Sequence, residues 1–184
     1  MKPATLTKTK WGIDPVHSEF SFKVRHLMIT YVKGVFREVD VTIFTDGNDY
    51  MTSEIEVRIN AASIDTGDEK RDQHLKSPDF FDVENHWQLV FIGKKLEKTD
   101  KENRYNLYGA LSIKGSAVPV KLEVDYLGTV KDPWGVEKAG FEVNGVISRR
   151  DWELNWNTAL ESGGVLVGDE VKVACEIQLV KESE

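Results

Sequence analysis

The chain has 184 residues, 40% of them hydrophobic, enough for one barrel or sandwich domain with a sizeable core. Its formal net charge of -7 argues against a nucleic-acid partner, because phosphate neutralisation needs clustered Lys and Arg that carboxylates do not outweigh. The single cysteine, Cys175, excludes an intrachain disulfide and a four-cysteine metal site.

Residues 1–10 are expected to form a flexible tail. MKPATLTKTKWGI has basic residues but no apolar run of signal-peptide length, and no later segment approaches membrane-spanning length. The chain is therefore expected in the cytoplasm. From Trp11 to Gly34, after a turn at Asp14-Pro15, residues Ser18, Phe20, Phe22, Val24, His26 and Met28 share one face. Glu19, Ser21, Lys23 and Arg25 share the other, which is the period of a strand. Lys33 to Thr45 continues with Val35, Val39, Val41 and Ile43 on one side and Arg37 interrupting the row. Asp46-Gly47-Asn48-Asp49 has hairpin chemistry, and Ser53 to Ala61 then places Ile55, Val57, Ile59 and Ala61 together.

A central excursion follows. Thr66 and Glu69 are spaced as a capping box for a short, mostly polar helix that stops at Ser77-Pro78 and buries little beyond Leu75. The adjacent Phe80 and Phe81 are expected to plug or fold over the core, since burying such a ring is worth roughly 1.5–3 kcal/mol. Trp87 to Leu96, which contains Phe91, is apolar on both faces and is expected to carry the helix over its outer side.

Three further alternating runs, Arg104 to Lys114, Ala117 to Leu127 and Lys138 to Ser148, keep the same grammar, as does the last, Glu170 to Lys181. Between the last two lies a segment too long for a hairpin, containing Trp152, Trp156 and a mobile Ser162-Gly163-Gly164. Eight mostly antiparallel runs allow a sandwich or a closed barrel. Runs of about 11 or 12 residues exceed the usual ~5–6 and favour a barrel of roughly 25–30 Å. Its inner row includes Ala61, Gly109, Ala139 and Gly145, small residues that would leave a bore.

The four histidines, His17, His26, His74 and His86, have no metal-ligand spacing, and neither a metal nor a cofactor is expected. His26 shares a face with Phe20 and Phe22; a core histidine bonded to a neighbour and a head-group ligand are both open readings. Asp14, His17 and Ser18 lack the elbow of a serine hydrolase, and adjacent strand residues point to opposite faces. Arg37 and the run Arg149-Arg150-Asp151 are candidates for an anionic head group, because a guanidinium fork grips phosphate or carboxylate with two bonds. For Asp151 the alternative is a pair that fastens the long loop. Phe80, Phe81, Trp152 and Trp156 are expected as a hydrophobic gate or as plain plugs.

The blocks W-G-I-D-P-V-H-S, F-x-V-x-H-L-M and V-x-G-x-F, then S-I-D-T, D-Q-H-L-K-S-P-D-F-F-D, G-A-L-S-I-K-G, S-R-R-D-W and V-G-D-E-V together resemble the YceI family from Trp11 to about Leu179. The resemblance implies an all-β fold: an eight-stranded antiparallel, extended lipocalin-like barrel with one short helix and a long loop between the last two strands. It also implies a bore that holds a polyisoprenoid or fatty-acid-like chain without catalysis, and possible homodimers. Two departures stand out: His86-Trp87 replaces the family's usual proline before Gln88, and Trp152-Glu153 replaces its Phe-Gly. The expected ligand-binding residues are Phe20, Phe22, His26, Met28, Arg37, Phe80, Phe81, Phe91, Arg149, Trp152 and Trp156. The expected function is non-enzymatic binding, transport or storage of a long apolar ligand. The alternatives are an enzyme acting on a lipid-like substrate and a filled barrel serving as an interaction module.

Overall fold

The computed structural model describes residues 8–182. Most of the expected tail lies outside the described residues, but Lys8–Lys10 already belong to a strand. Eight extended runs close into an antiparallel barrel in which each pairs with its neighbour in sequence. The first run is broken into β1 (Lys8–Ile13) and β2 (Glu19–His26), and the second into β3 (Thr30–Phe36) and β4 (Val39–Asp46). Then come β5 (Asp49–Asn60), β6 (Ile64–Asp65), helix α1 (Glu69–Lys76), β7 (Gln88–Lys98), β8 (Arg104–Ile113), β9 (Ser116–Lys131), β10 (Glu137–Ser148) and β11 (Val167–Lys181). Strand β11 closes the ring across the break in the first run. Its end pairs with β1, Leu179 opposite Ile13, and its earlier part pairs with β2, Cys175 opposite Phe20.

The two breaks reverse the inward parity. Trp11 and Ile13 face the core from β1, whereas Phe20, Phe22, Val24 and His26 face it from β2. In the second run Val32 and Phe36 point inward, and after the bend Val41 and Ile43 do. Val35 therefore does not share the inward row in which the uninterrupted alternation placed it. Arg37 lies in the bend itself, where its Nε and Nη2 donate to Asp65 Oδ2 at 3.1 and 2.9 Å on the exposed side.

The break between β1 and β2 is fastened by Asp14. Its carboxylate accepts hydrogen bonds from Lys138 Nζ on β10 at 3.2 Å and Gln178 Nε2 on β11 at 2.9 Å, and His17 Nδ1 lies 3.0 Å away. Burial opposes ionisation here, but the bonds with His17 and Lys138 outweigh it and hold the carboxyl at about 2, below the ordinary 3.8. A lowered carboxyl value stabilises the fold above the unfolded value and loses that contribution as pH falls through the folded one. Asp14→Asn should therefore cost about 2 kcal/mol at neutral pH, by the ~1.4 kcal/mol per unit of linkage. In urea melts at stepped pH, that difference should shrink from about pH 4 downward and vanish near pH 2.

One end of the barrel is filled. Trp11, Tyr50, Tyr126 and Phe141 stack edge-on and tilted with centroid spacings of 5.3–5.6 Å. Trp11 Nε1 donates to Thr45 Oγ1 at 3.0 Å, and the Tyr50 and Tyr126 hydroxyls both meet Thr129 Oγ1, at 3.0 and 2.7 Å. Each buried polar tip thus has a partner, which lets the rings stay inside.

The opposite end is where the chain departs from regular pairing. Beyond Val35 and Phe36, which meet β6, the second edge of β3 has no strand partner among the described residues. The excursion through α1 follows at this gap. The helix is capped by Asp68, whose side chain accepts from Arg71 N–H at 2.8 Å. Thr66, expected as the cap, instead donates through its N–H and hydroxyl to Asp72 Oδ1, at 2.9 and 2.6 Å. Nor does α1 cover β7. It packs beside β6 at the barrel mouth, which leaves Ile92 and Trp87 40% and 63% exposed.

Candidate functional site

Inside the barrel lies a cavity of about 580 Å³ that runs from the aromatic plug to the mouth. Its wall is almost entirely hydrocarbon and aromatic. Val57 and Phe91, Leu107, Leu122, Val143, and Val173 and Ile177 face it from β5 and β7, β8, β9, β10 and β11 respectively. Their positions follow from strict alternation, since every second residue of a strand faces the same side. A bulge after Gly93 resets the phase of β7, which brings Leu96 inward.

Gly109 and Gly145 do not widen the bore. A Cβ on Gly109 would sit 2.5 Å from the Phe91 ring and from Ile92 O, and one on Gly145 would sit 2.5 Å from Leu122 Cδ2. These glycines give room to neighbouring large side chains. The wall of the cavity is a mixture of valine, isoleucine, leucine and phenylalanine.

The mouth is built by α1, the Phe80-Phe81 loop and the segment between β10 and β11. Phe80, His74 and Trp156 form a mutual cluster with centroid spacings of 5.1, 4.6 and 5.5 Å. Phe81 meets Phe36 edge-on at 5.9 Å, and Phe36 meets Phe22 at 5.6 Å. Trp152 is 2% exposed and donates its Nε1–H to Leu111 O at 2.8 Å, so it is a fixed plug. Phe20, Phe22, His26, Phe80, Phe81, Phe91, Arg149, Trp152 and Trp156 all border the cavity, whereas Met28 and Arg37 do not. Met28 fails because β2 ends at His26 and the chain turns before the parity reaches it.

Arg149 borders the cavity but is committed to the protein. Its Nε donates to Gly168 O at 2.9 Å, Nη1 to Trp156 O at 2.9 Å and to Leu154 O, and Nη2 to Val167 O at 3.4 Å. Burial lowers its guanidinium from the usual value, with the nearby Asp169 carboxylate opposing the shift. It fastens the long loop to β11 and is not free to grip a head group. The exposed ion pair of that region joins Arg150 to Asp169 at 2.8 Å rather than to Asp151.

The polar groups that border the cavity around the mouth include Arg25, His26, Thr66, Lys70, Arg71 and His74. The His26 ring makes no hydrogen bond to another described residue, whereas His74 Nε2 lies 2.8 Å from Asp79 Oδ2. Arg71 donates to Thr66 Oγ1 and Thr66 O at 2.7 and 2.9 Å. Lys70 and Arg71 were missed as mouth residues because α1 looked like a solvated surface helix. The i, i+3, i+4 spacing of Arg71, His74 and Leu75 was the available signal. Among the described residues no cluster of three His, Cys, Asp or Glu could hold a metal ion.

Glu153, which ends the 3₁₀ turn Arg149–Trp152, has φ +59°, in the left-handed region that favours glycine. Glu153→Gly is expected to stabilise the protein by about 0.5–1 kcal/mol, seen as a rise of roughly 1–4 °C in thermal melts.

A YceI-like domain model matches residues 11–179. A UPF0312 protein of Staphylococcus epidermidis is 39% identical over 165 residues, covering 89% of this chain and 93% of its own. Among solved structures, a Campylobacter jejuni YceI protein is 30% identical, with a TM-score of 0.73 over 88% of this chain and 91% of that one. A polyisoprenoid binding domain from Saccharophagus degradans superimposes with a TM-score of 0.68 at 14% identity, over 94% of this chain and 98% of that one, a likeness of fold.

Proposed function

The chain belongs to the YceI-like domain family, and from that premise we propose that it binds, carries or stores one long apolar chain, a polyisoprenoid or fatty-acid-like lipid, in its bore. The reading rests on one observation: a cavity of about 580 Å³, walled in hydrocarbon and stoppered at one end. That volume is roughly twenty groups the size of a water molecule at ~30 Å³ each, on the scale of a C15 to C20 chain. Each methylene taken from water contributes about 0.8 kcal/mol, so such a chain binds tightly with few polar contacts. The ligand named for the S. degradans domain fits this chemistry.

In this reading the tail lies against the bore wall and a polar head stays at the mouth, within reach of His26, Lys70 and His74. The bore offers little for nucleophilic chemistry. Its one thiol, Cys175, is pushed up to about 12 by burial and stays protonated at neutral pH.

Native mass spectrometry of protein purified without detergent, followed by solvent extraction, tests the proposal. A bound species that yields a prenyl or acyl lipid is expected. Recovery of no lipid, together with no uptake of added prenyl or acyl chains, would overturn it.

A further inference from the structure

The turn that joins β2 to β3 is built against local preference. Leu27 and Met28 both lie in the left-handed region, at φ +53° and +62°, and the Ile29 N–H closes the turn onto His26 O at 3.2 Å. A turn of that geometry favours Asn-Gly. Here it carries two large apolar side chains followed by a third, and Leu27, Met28 and Ile29 are 38%, 48% and 76% exposed. Backbone strain combined with exposed hydrocarbon is a poor arrangement for a free surface.

Behind this tip, the outer faces of three adjacent strands set like charges together. Lys172 on β11 is opposite Lys23 on β2, which is opposite Lys33 on β3, an arrangement that destabilises a sheet. Nearer the tip, Arg25 stands opposite Tyr31 and donates to Met28 O at 2.9 Å. The Lys23, Arg25 and Lys172 cations lie 5.1, 5.2 and 5.3 Å from the Tyr31 ring centroid. A basic, tyrosine-centred patch thus backs an apolar tip, in a chain whose net charge is -7.

We propose that this tip docks the barrel on an anionic bilayer. Leu27, Met28 and Ile29 enter the interfacial layer, Tyr31 sits at head-group level, and Lys23, Arg25, Lys33 and Lys172 face the lipid phosphates. A nucleic acid or an acidic peptide would satisfy the cations but gives the three apolar side chains nothing to enter. A bilayer satisfies both. The tip also belongs to the mouth: His26 borders the cavity, and Leu27 N–H donates to Leu166 O of the long loop at 2.9 Å. Docking there brings the opening of the bore to the membrane, and it stands whatever the bore contains.

Cosedimentation with phosphatidylcholine vesicles, with or without phosphatidylglycerol, tests the proposal. The protein should bind the anionic vesicles roughly tenfold or more better than the neutral ones, and salt at about 0.5 M should erase most of that preference. The Leu27→Asn/Met28→Gly double variant suits the turn and keeps the fold, yet should lose vesicle binding at least about tenfold. Lys23→Gln/Lys172→Gln should weaken binding to anionic vesicles alone. The proposal is overturned if the wild type binds neither vesicle, if the Asn-Gly variant binds as well as wild type, or if neutral and anionic vesicles bind equally. Sedimentation velocity showing tip-dependent self-association without vesicle binding would assign the tip to a second copy and also overturn it. Vesicle association is read independently of lipid recovery from the bore, so the docking and the proposed cargo fail separately.

Discussion

Protein carrying Val57→Trp should come out of purification with less than about a tenth of the lipid recovered from wild type. Val57 faces the cavity from the second half of β5, and an indole there occupies space that a bound chain needs. Displacing four or five methylenes at about 0.8 kcal/mol each removes roughly 3–4 kcal/mol of binding, a loss of between a hundredfold and a thousandfold. Filling a well-packed core costs about 1–3 kcal/mol, but this side chain grows into a void, so the melt should stay within about 10 °C of wild type. Val173→Trp, from another strand of the same wall, should behave alike. Lipid content unchanged in both folded variants would place the cargo outside the bore.

Arg149→Met is expected to be the most damaging single substitution at the mouth, costing about 3–5 kcal/mol and lowering the melting temperature by roughly 6–20 °C. The thioether keeps some of the packing but leaves the carbonyls of Leu154, Trp156, Val167 and Gly168 without the guanidinium. Each buried acceptor left unpaired costs about 1–3 kcal/mol. Arg149→Lys should rescue only a minor part, since one ammonium cannot match the planar fork. Limited proteolysis should then cut first between Leu154 and Leu166, where the loop has lost its anchor. A variant within about 1 kcal/mol of wild type and uncut there would show that the anchor is dispensable.

The barrel was legible because period-2 alternation is a direct print of strand geometry. Tyr105 to Ile113, Phe141 to Ile147 and Val171 to Leu179 face inward as written. Where alternation passes through a bend it carries no such information. Arg37 and Val35 share parity with Val41, but the bend at residues 37 and 38 breaks the row between them. Met28 was misplaced in the same way by a strand that stops two residues early. The helix start was decided by Asp72, which took the Thr66 hydroxyl away from the capping role that its spacing with Glu69 suggested. Arg149 was readable as an anion fork only because its four carbonyl partners, two of them across the long loop on β11, leave no trace in local sequence. The cavity itself could not be read from the small residues. Whether Gly109 opens space or receives the Phe91 ring depends on a rotamer in the neighbouring strand.

The stack of Trp11, Tyr50, Tyr126 and Phe141 gives this sleeve a floor. A molecule that slides in tail first has to back out head first through the doorway it used, and nothing can be threaded from one side to the other. If the bore carries the proposed cargo, donor and recipient must call at the same door in turn, and a loaded vessel refuses a second passenger until the first has left.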